Sequence, residues 1–293
     1  PGGRARVYKA DGFTFDMGPS WYLMPDVFEV FFDRIGRKVE DHYQLVRLDP
    51  SYRIYHGADD FVDIAADLET NVALFESIEP GAAARFREYL RVAQLKYDIA
   101  IAEFLYKDYR NVFDFLNRRT MMEGRNLHVF ESLDRYARRF FQSARLRSIL
   151  EYSMVFLGGS RTNTPALYSL MSHVDFNLGV WYPMGGIGSV VSAFLDIAKS
   201  LGVEARFDCP VTQVLVEGGR TVGVRTPDGD VDADVVVMNA DYPHAEMALL
   251  DRRHQSYPDR YWSRRTLAPS AFMLYLGIKG SLPGLLHHTL SFR

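Results

Sequence analysis

Cysteine is almost missing. Cys209 is the only one in 293 residues, which excludes an internal disulfide and any metal site built on several thiolates. The eight histidines show no ligand spacing with Asp or Glu partners on a helix, so no metal is expected. No apolar run approaches the ~18–20 residues of a membrane-spanning helix, and no signal peptide is legible. An excess of one charge is lacking too: 34 Lys and Arg against 37 Asp and Glu leave a formal −3. A duplex-binding protein needs a positive face that displaces counterions, so no nucleic-acid partner is expected. An initiator Met and a lead-in strand are also missing. The chain opens on Pro1-Gly2-Gly3-Arg4 and stops abruptly after residues 287–293, and it reads as a fragment of a longer protein.

What is present is a folding composition, 47% hydrophobic and 24% charged, with aromatics raised to 14%. The chain is long enough for one large domain or two. The opening predicts a hairpin, with residues 5–9 and 13–17 joined at Asp11-Gly12. Val27, Phe28, Phe31, Phe32 and Ile35 form a helical stripe that begins at Pro25 and is stopped by Gly36. Short strands follow over 43–65. The chain then turns helical, with helices predicted over 68–78, over 82–106 and from an N-cap at Ser132 to Phe156, where Gly158-Gly159 ends the last. Thr164-Pro165 predicts a further helix start. A glycine-entered helix is expected over 185–201, with Val190, Val191, Phe194, Leu195 and Ala198 inward. Strands over 211–216, 221–225 and 231–238 come next, joined by Glu217-Gly218-Gly219 and Pro227-Asp228-Gly229. The order β, α, β interleaves two layers in one chain.

Several residues admit both a chemical and an ordinary reading. Gly2 and Gly3 let backbone amides approach an anion beside the planar fork of Arg4; a solvated surface turn looks the same in sequence. Gly185-Gly186-Ile187-Gly188 suits either a ligand at a helix N-terminus or tight packing on a sheet, and it does not match G-x-G-x-x-G. Residues 103–147 carry ten basic against six acidic side chains. Tyr97, Phe104, Tyr106, Tyr109, Phe113, Phe115, Phe130, Tyr136, Phe140 and Phe141 lie among or beside them. Such a stretch can rest on anionic lipid headgroups, or it can be a bundle with an aromatic core and an arginine face. Asp114, between Phe113 and Phe115, is the carboxylate that could exchange a proton with a substrate; a helix-surface Asp is the plainer alternative. His287 and His288 are adjacent and expected on opposite sides of a strand.

Three segments together carry a resemblance: PGGRARVYKADGFTFDMGPSWYLMP (1–25), GVWYPMGGIGSVVSAFLDIAKSLGVEARFDCPVTQVLVEGGRTVGVRTPDGDVDADVVVMNAD (179–241) and HHTLSFR (287–293). With FLGGSRTNTPALYSLM (156–171), they make the chain similar to the bacterial-type phytoene desaturases of the flavin amine-oxidase-like superfamily. The resemblance implies a mixed α/β, two-domain flavoprotein fold, with a Rossmann-like FAD-binding domain and a substrate domain whose helical portion faces the membrane. The family's N-terminal βαβ unit with its G-x-G-x-x-G does not occur in this sequence. The expected organisation assigns 1–24 to the FAD-binding domain and 25–66 to strands and a helix of the substrate domain. Residues 67–178 form the helical substrate and membrane-facing portion, 179–242 return to the FAD-binding domain, and 243–293 return to the substrate domain.

By the same resemblance Gly2, Gly3 and Arg4, with Arg6 assisting, lie along the FAD ribityl–pyrophosphate region. Gly18, Pro19 and Ser20 lie near the flavin ring, and the backbone of Val211 contacts the adenine. Gly185 and Gly186 stay structural. The implied substrate is phytoene, a long apolar polyene, taken toward lycopene or a partly desaturated carotene. Hydride passes to the flavin, the proton to solvent or a carboxylate such as Asp114, and the electrons to a quinone or oxygen. The protein is expected to be cytoplasmic, peripherally bound at the inner face of the cell membrane, and this stretch alone is expected not to retain FAD. Related desaturation of C30 or hydroxylated carotenoids, carotene isomerisation, and a non-catalytic carotenoid- or membrane-binding role are the alternatives.

Overall fold

The computed structural model describes residues 1–108, 111, 127–268 and 270–292. The chain divides into two compact units, Gly2–Phe194 with Pro269–Arg293, and Leu195–Ala268 with Pro1.

The larger unit opens with the expected hairpin. Strands β1 (Val7–Ala10) and β2 (Phe13–Asp16) pair antiparallel. Asp11 and Gly12 both have positive φ, the turn geometry that matches the right-handed twist of a two-residue hairpin. The Pro25–Arg34 helix follows with proline in its first turn. Strands β3 (Leu45–Arg47), β4 (Tyr52–Tyr55) and β5 (Phe61–Ile64) come next. β3 pairs antiparallel with β6 (Trp181–Pro183), and β4 lies between antiparallel β5 and parallel β10 (Thr289–Ser291).

Alternation along β4 and β5 buries Tyr52, Ile54, Val62 and Ile64 on one face. Against that face pack the Leu68–Ile78 helix, capped by Asp67 Oδ2 on the Thr70 amide at 2.7 Å, and the Ala82–Ile99 helix. Phe75 and Phe86 stack with ring centroids 3.8 Å apart, and Phe176 meets Phe86 edge-on at 5.0 Å.

The predicted helix from Ser132 to Phe156 is broken into three. Ser132 caps Leu133–Ala137 as expected, but Ser143 caps a second helix, Ala144–Glu151, and a 3-10 segment covers Tyr152–Leu157. The serine side chain accepts the Leu146 amide, which competes with helix continuation. Thr164 does not cap the next helical stretch; its hydroxyl turns to Asn163, and a 3-10 turn begins at Ala166. Of the aromatics in the basic stretch, Tyr97, Tyr136 and Phe141 are core, whereas Tyr106 and Phe130 are exposed. Tyr109, Phe113 and Phe115 lie outside the described residues. Among the described residues no helix is long and apolar enough to cross a membrane.

The Ile187–Ser200 helix buries Ile187, Val190, Ala193 and Ile197, a row rotated from the expected one. Phe194 keeps an exposed edge while its ring meets Phe31 at 5.0 Å. In the smaller unit, β7 (Gln213–Glu217), β8 (Arg220–Thr226) and β9 (Gly229–Asp232) form an antiparallel meander. The strand expected over 231–238 stops at Asp232. Val235 and Val237 are largely exposed, and among the described residues no strand pairs with 234–238. An alternating apolar segment becomes a strand only where a partner's amides and carbonyls meet it.

Candidate active site

The chain's first turn is shaped by two left-handed glycines, with φ 92° at Gly2 and 52° at Gly3. A Cβ on Gly2 would lie 3.1 Å from the Ala5 carbonyl, whereas one on Gly3 would project into open space. Gly2 is therefore required by the turn, and Gly3 leaves the ground above the backbone open. The Arg6 carbonyl accepts the Met17 amide at 2.9 Å, which lays residues 17 and 18 along this turn. A Cβ on Gly18 would fall 1.8 Å from the Arg4 carbonyl oxygen, so only glycine lets the two backbones pass. Arg4, Arg6, Gly18, Pro19 and Ser20 are all exposed. The result is an open strip of small residues flanked by two guanidinium groups, suited to a flat ligand bearing an anion.

Asp16 ties this strip to a distant helix. Its Oδ2 accepts hydrogen bonds from the Tyr182 hydroxyl and the Ile187 amide, both at 3.1 Å, at the start of the Ile187–Ser200 helix. A carboxylate there satisfies orphan amides and opposes the positive end of the helix dipole. Gly186, at φ 92°, would place a Cβ 2.9 Å from Asp16 Oδ2, and Gly188 would place one 2.4 Å from Val7 Cγ2. These glycines serve close packing of the helix start on the hairpin.

Behind Ser20 stands an aromatic wall. Trp21 stacks on Tyr52 at 5.0 Å and meets Phe156 at 5.3 Å, Tyr152 at 6.0 Å and His288 at 4.6 Å. The Tyr52 and Tyr152 hydroxyls donate to Asp175 Oδ2 at 2.6 and 3.1 Å. Asp175 is buried, and its Oδ1 meets no hydrogen-bond partner among the described residues. Burial pushes its pKa up to about 7, against the opposing pull of the two tyrosine hydrogen bonds. A buried carboxyl group that holds its proton well above the usual carboxylate range thus joins the two rings that carry the wall.

The two histidines do not flank a strand. They precede β10, and their Nδ1 atoms lie 3.1 Å apart, which corrects the expectation of opposite faces. His288 is buried with Nε2 3.0 Å from the Ser20 hydroxyl oxygen, and His287 sits against the Tyr182 ring at 4.4 Å.

The structure therefore gathers Gly2, Gly3, Arg4, Arg6, Gly18, Pro19 and Ser20 within the larger unit. Val211 belongs to the smaller unit and precedes β7 by two residues, outside the strand expected to hold it. Asp114 lies outside the described residues. Sequence reasoning passed over Asp16, Trp21, Asp175 and the histidine pair as a group. Asp175 in the apolar run His173-Val174-Asp175-Phe176 carried a signal, a lone carboxylate among residues that bury, whereas the partner of Asp16 is 171 positions away.

Comparison with known proteins agrees with this architecture. Residues 1–271 match the family described as flavin containing amine oxidoreductase. Over 99% of its length the chain is 44% identical to a carotenoid 3,4-desaturase from Haloarcula japonica, covering 59% of that protein. It is 35% identical over its whole length to a zeta-carotene-forming phytoene desaturase from Myxococcus xanthus, covering 56% of it. The chain thus spans somewhat over half the length of the curated relatives it matches. An oxidoreductase from Methanosarcina mazei superposes with a TM-score of 0.50 at 15% identity, over 79% of this chain and 49% of that one, a likeness of fold alone.

Proposed function

Because this chain belongs to the flavin containing amine oxidoreductase family, we propose that the protein carrying it is an FAD-dependent desaturase of a long carotenoid polyene. The observation that carries the reading is the join at Ser20–Trp21, where an open, arginine-flanked strip runs directly into an aromatic wall. Gly2, Gly3, Arg4 and Arg6 would hold the anionic part of FAD, and Gly18, Pro19 and Ser20 would keep the space beside its ring clear. Val211 would contribute its backbone to the adenine. The open space above Gly3 and the close passage of Gly18 under Arg4 fit that assignment. A bound flavin supplies hydride acceptance, which no side chain can provide.

A polyene hydrocarbon offers nothing to hydrogen-bond, so the protein must hold it by shape and burial, at ~0.8 kcal/mol per methylene. Trp21 and Phe156, backed by Tyr52 and Tyr152, are suited to that role. The departing proton passes to solvent or a carboxylate. Asp114 is the carboxylate read from sequence; if it takes the proton, Asp114→Asn in the full-length protein should cut turnover while FAD is retained, and unchanged turnover leaves the route to solvent. The basic stretch over 103–147 is the proposed docking face for the inner surface of the membrane, in which such a substrate dissolves. A quinone or oxygen would take the electrons.

Phytoene, converted toward lycopene or a partly desaturated carotene, is the substrate this reading starts from. The 44% identity to a carotenoid 3,4-desaturase favours a second reading, in which a related carotenoid takes its place. The test is to incubate the full-length protein with phytoene in liposomes, with FAD and a quinone, and to resolve the pigments by chromatography and absorption. Chromophores of longer conjugation support the first reading. Phytoene returned unchanged, with other carotenoids desaturated, supports the second. No hydrogen loss from any carotenoid, with FAD bound, moves the function to isomerisation.

A further inference from the structure

His288 links Ser20 to His287 through a continuous line of hydrogen-bonding atoms. Its Nε2 is 3.0 Å from Ser20 Oγ and its Nδ1 is 3.1 Å from His287 Nδ1. Between two neutral imidazoles only one of the facing nitrogens can carry the proton, so one ring donates to the other. When His288 donates from Nδ1, its Nε2 accepts from the Ser20 hydroxyl, and every N–H and O–H points from Ser20 toward His287. Ser20 and His287 are both exposed and His288 is buried between them, so with flavin and substrate covering Ser20 the line would run from the strip assigned to the flavin ring to the His287 side.

Among the described residues the groups facing the pair are few. Trp21 packs against His288. Arg53 of β4 donates its amide to the His288 carbonyl, and its guanidinium is held by Asp63. Tyr182 covers His287, with Asp16 hydrogen-bonded to the tyrosine hydroxyl. Burial, then the neighbouring His287, pushes His288 down to about 3, so it stays neutral at working pH and can relay a proton without storing it. His287 is lowered by burial, with Asp16 opposing the shift.

We propose that Ser20, His288 and His287 form the path by which the proton removed during desaturation reaches solvent. The inference rests on the desaturase reading above. Making a carbon–carbon double bond removes hydrogen from two adjacent carbons. One hydrogen would leave with its bonding pair, for which a bound flavin would be the oxidant. The second C–H bond breaks with its electron pair becoming the new π bond, and its proton is taken up by Ser20 Oγ as the Ser20 proton moves to His288 Nε2. The Nδ1 proton of His288 passes to His287 Nδ1, and His287 releases one proton to water.

The experiment uses the full-length, FAD-loaded protein under anaerobic conditions, mixed with carotenoid in liposomes. Flavin bleaching and proton release to an indicator dye are followed together. His288→Gly should retain FAD and slow turnover about 100-fold, with at least a tenfold recovery in added imidazole. His287→Gln, at an exposed position, should delay proton release and shift the pH–rate profile. Imidazole 15N spectra of the unsubstituted protein should show one low-field N–H shared by the two rings and lost in His287→Gln. Wild-type rates in both variants, a slow His288→Gly that imidazole does not rescue, or no shared N–H would each overturn the path. Failure of the unsubstituted protein to reduce its flavin with any carotenoid would overturn the desaturase reading, and the path with it.

Discussion

Asp16 Oδ2 accepts the amide hydrogen of Ile187 at 3.1 Å, joining the end of the first hairpin to the start of a helix 171 positions later. The same oxygen accepts the Tyr182 hydroxyl, so one carboxylate holds a strand end, a helix start and the ring that covers His287.

Asp16→Ala removes the cap and leaves the Ile187 amide and the Tyr182 hydroxyl to find water. A loss of about 1–2 kcal/mol is expected in urea denaturation. Asp16→Asn, which still presents an acceptor oxygen, should recover part of it.

Gly18→Ala tests the passage of the two backbones. A methyl group 1.8 Å from the Arg4 carbonyl cannot be absorbed by side-chain rotation, so the Gly2–Ala5 turn must separate from residues 17–18. The expected cost is about 3 kcal/mol, with loss of bound flavin absorbance in the full-length protein. Flavin retained at full stoichiometry would remove Gly18 from the cofactor strip.

Asp175→Asn tests the buried proton. The pKa of Asp175 rises from 3.8 to about 7 on folding. The folded protein therefore keeps a proton that the unfolded chain releases above about pH 4. This contribution is fully present below pH 4 and is lost as pH rises to about 7, on the order of 1 kcal/mol per pH unit. His288 acts the other way: its pKa is lowered from 6.5 to about 3, so its contribution is present above 6.5 and lost as pH falls. The difference between parent and Asp175→Asn in Tm against pH isolates the carboxyl group. A difference that stays flat from pH 4 to 7 would show that Asp175 is ionised throughout.

Phe86→Ala opens the centre of the larger unit. Phe86 is fully buried, stacked on Phe75 and edge-on to Phe176, so a loss of about 3–5 kcal/mol is expected in chemical denaturation. A loss under about 1 kcal/mol would mean that neighbouring rings collapse into the space.

Much of the local structure was legible in the sequence because it depends on neighbours along the chain. The Asp11-Gly12 hairpin, the Pro25 helix start and the Leu68–Ile78 helix follow from turn chemistry, a missing amide hydrogen and a 3.6-residue stripe. The arginine beside two glycines and the family resemblance were equally readable. Where the sequence misled, a second partner decided the outcome. Ser143 ended a helix that periodicity would have continued, and 234–238 alternates without a described partner strand. The site divides the same way. Gly2, Gly3, Arg4 and the Gly18–Ser20 segment stand out as motifs, because unusual backbone geometry selects unusual residues. That Gly18 lies under Arg4, that Asp16 caps a helix beyond residue 186, that Asp175 is buried between two tyrosine hydroxyls, and that His288 reaches Ser20 across 268 positions could come only from the folded chain. Hydrogen bonds and burial act over a few ångströms in space, and separation along the chain carries no record of them.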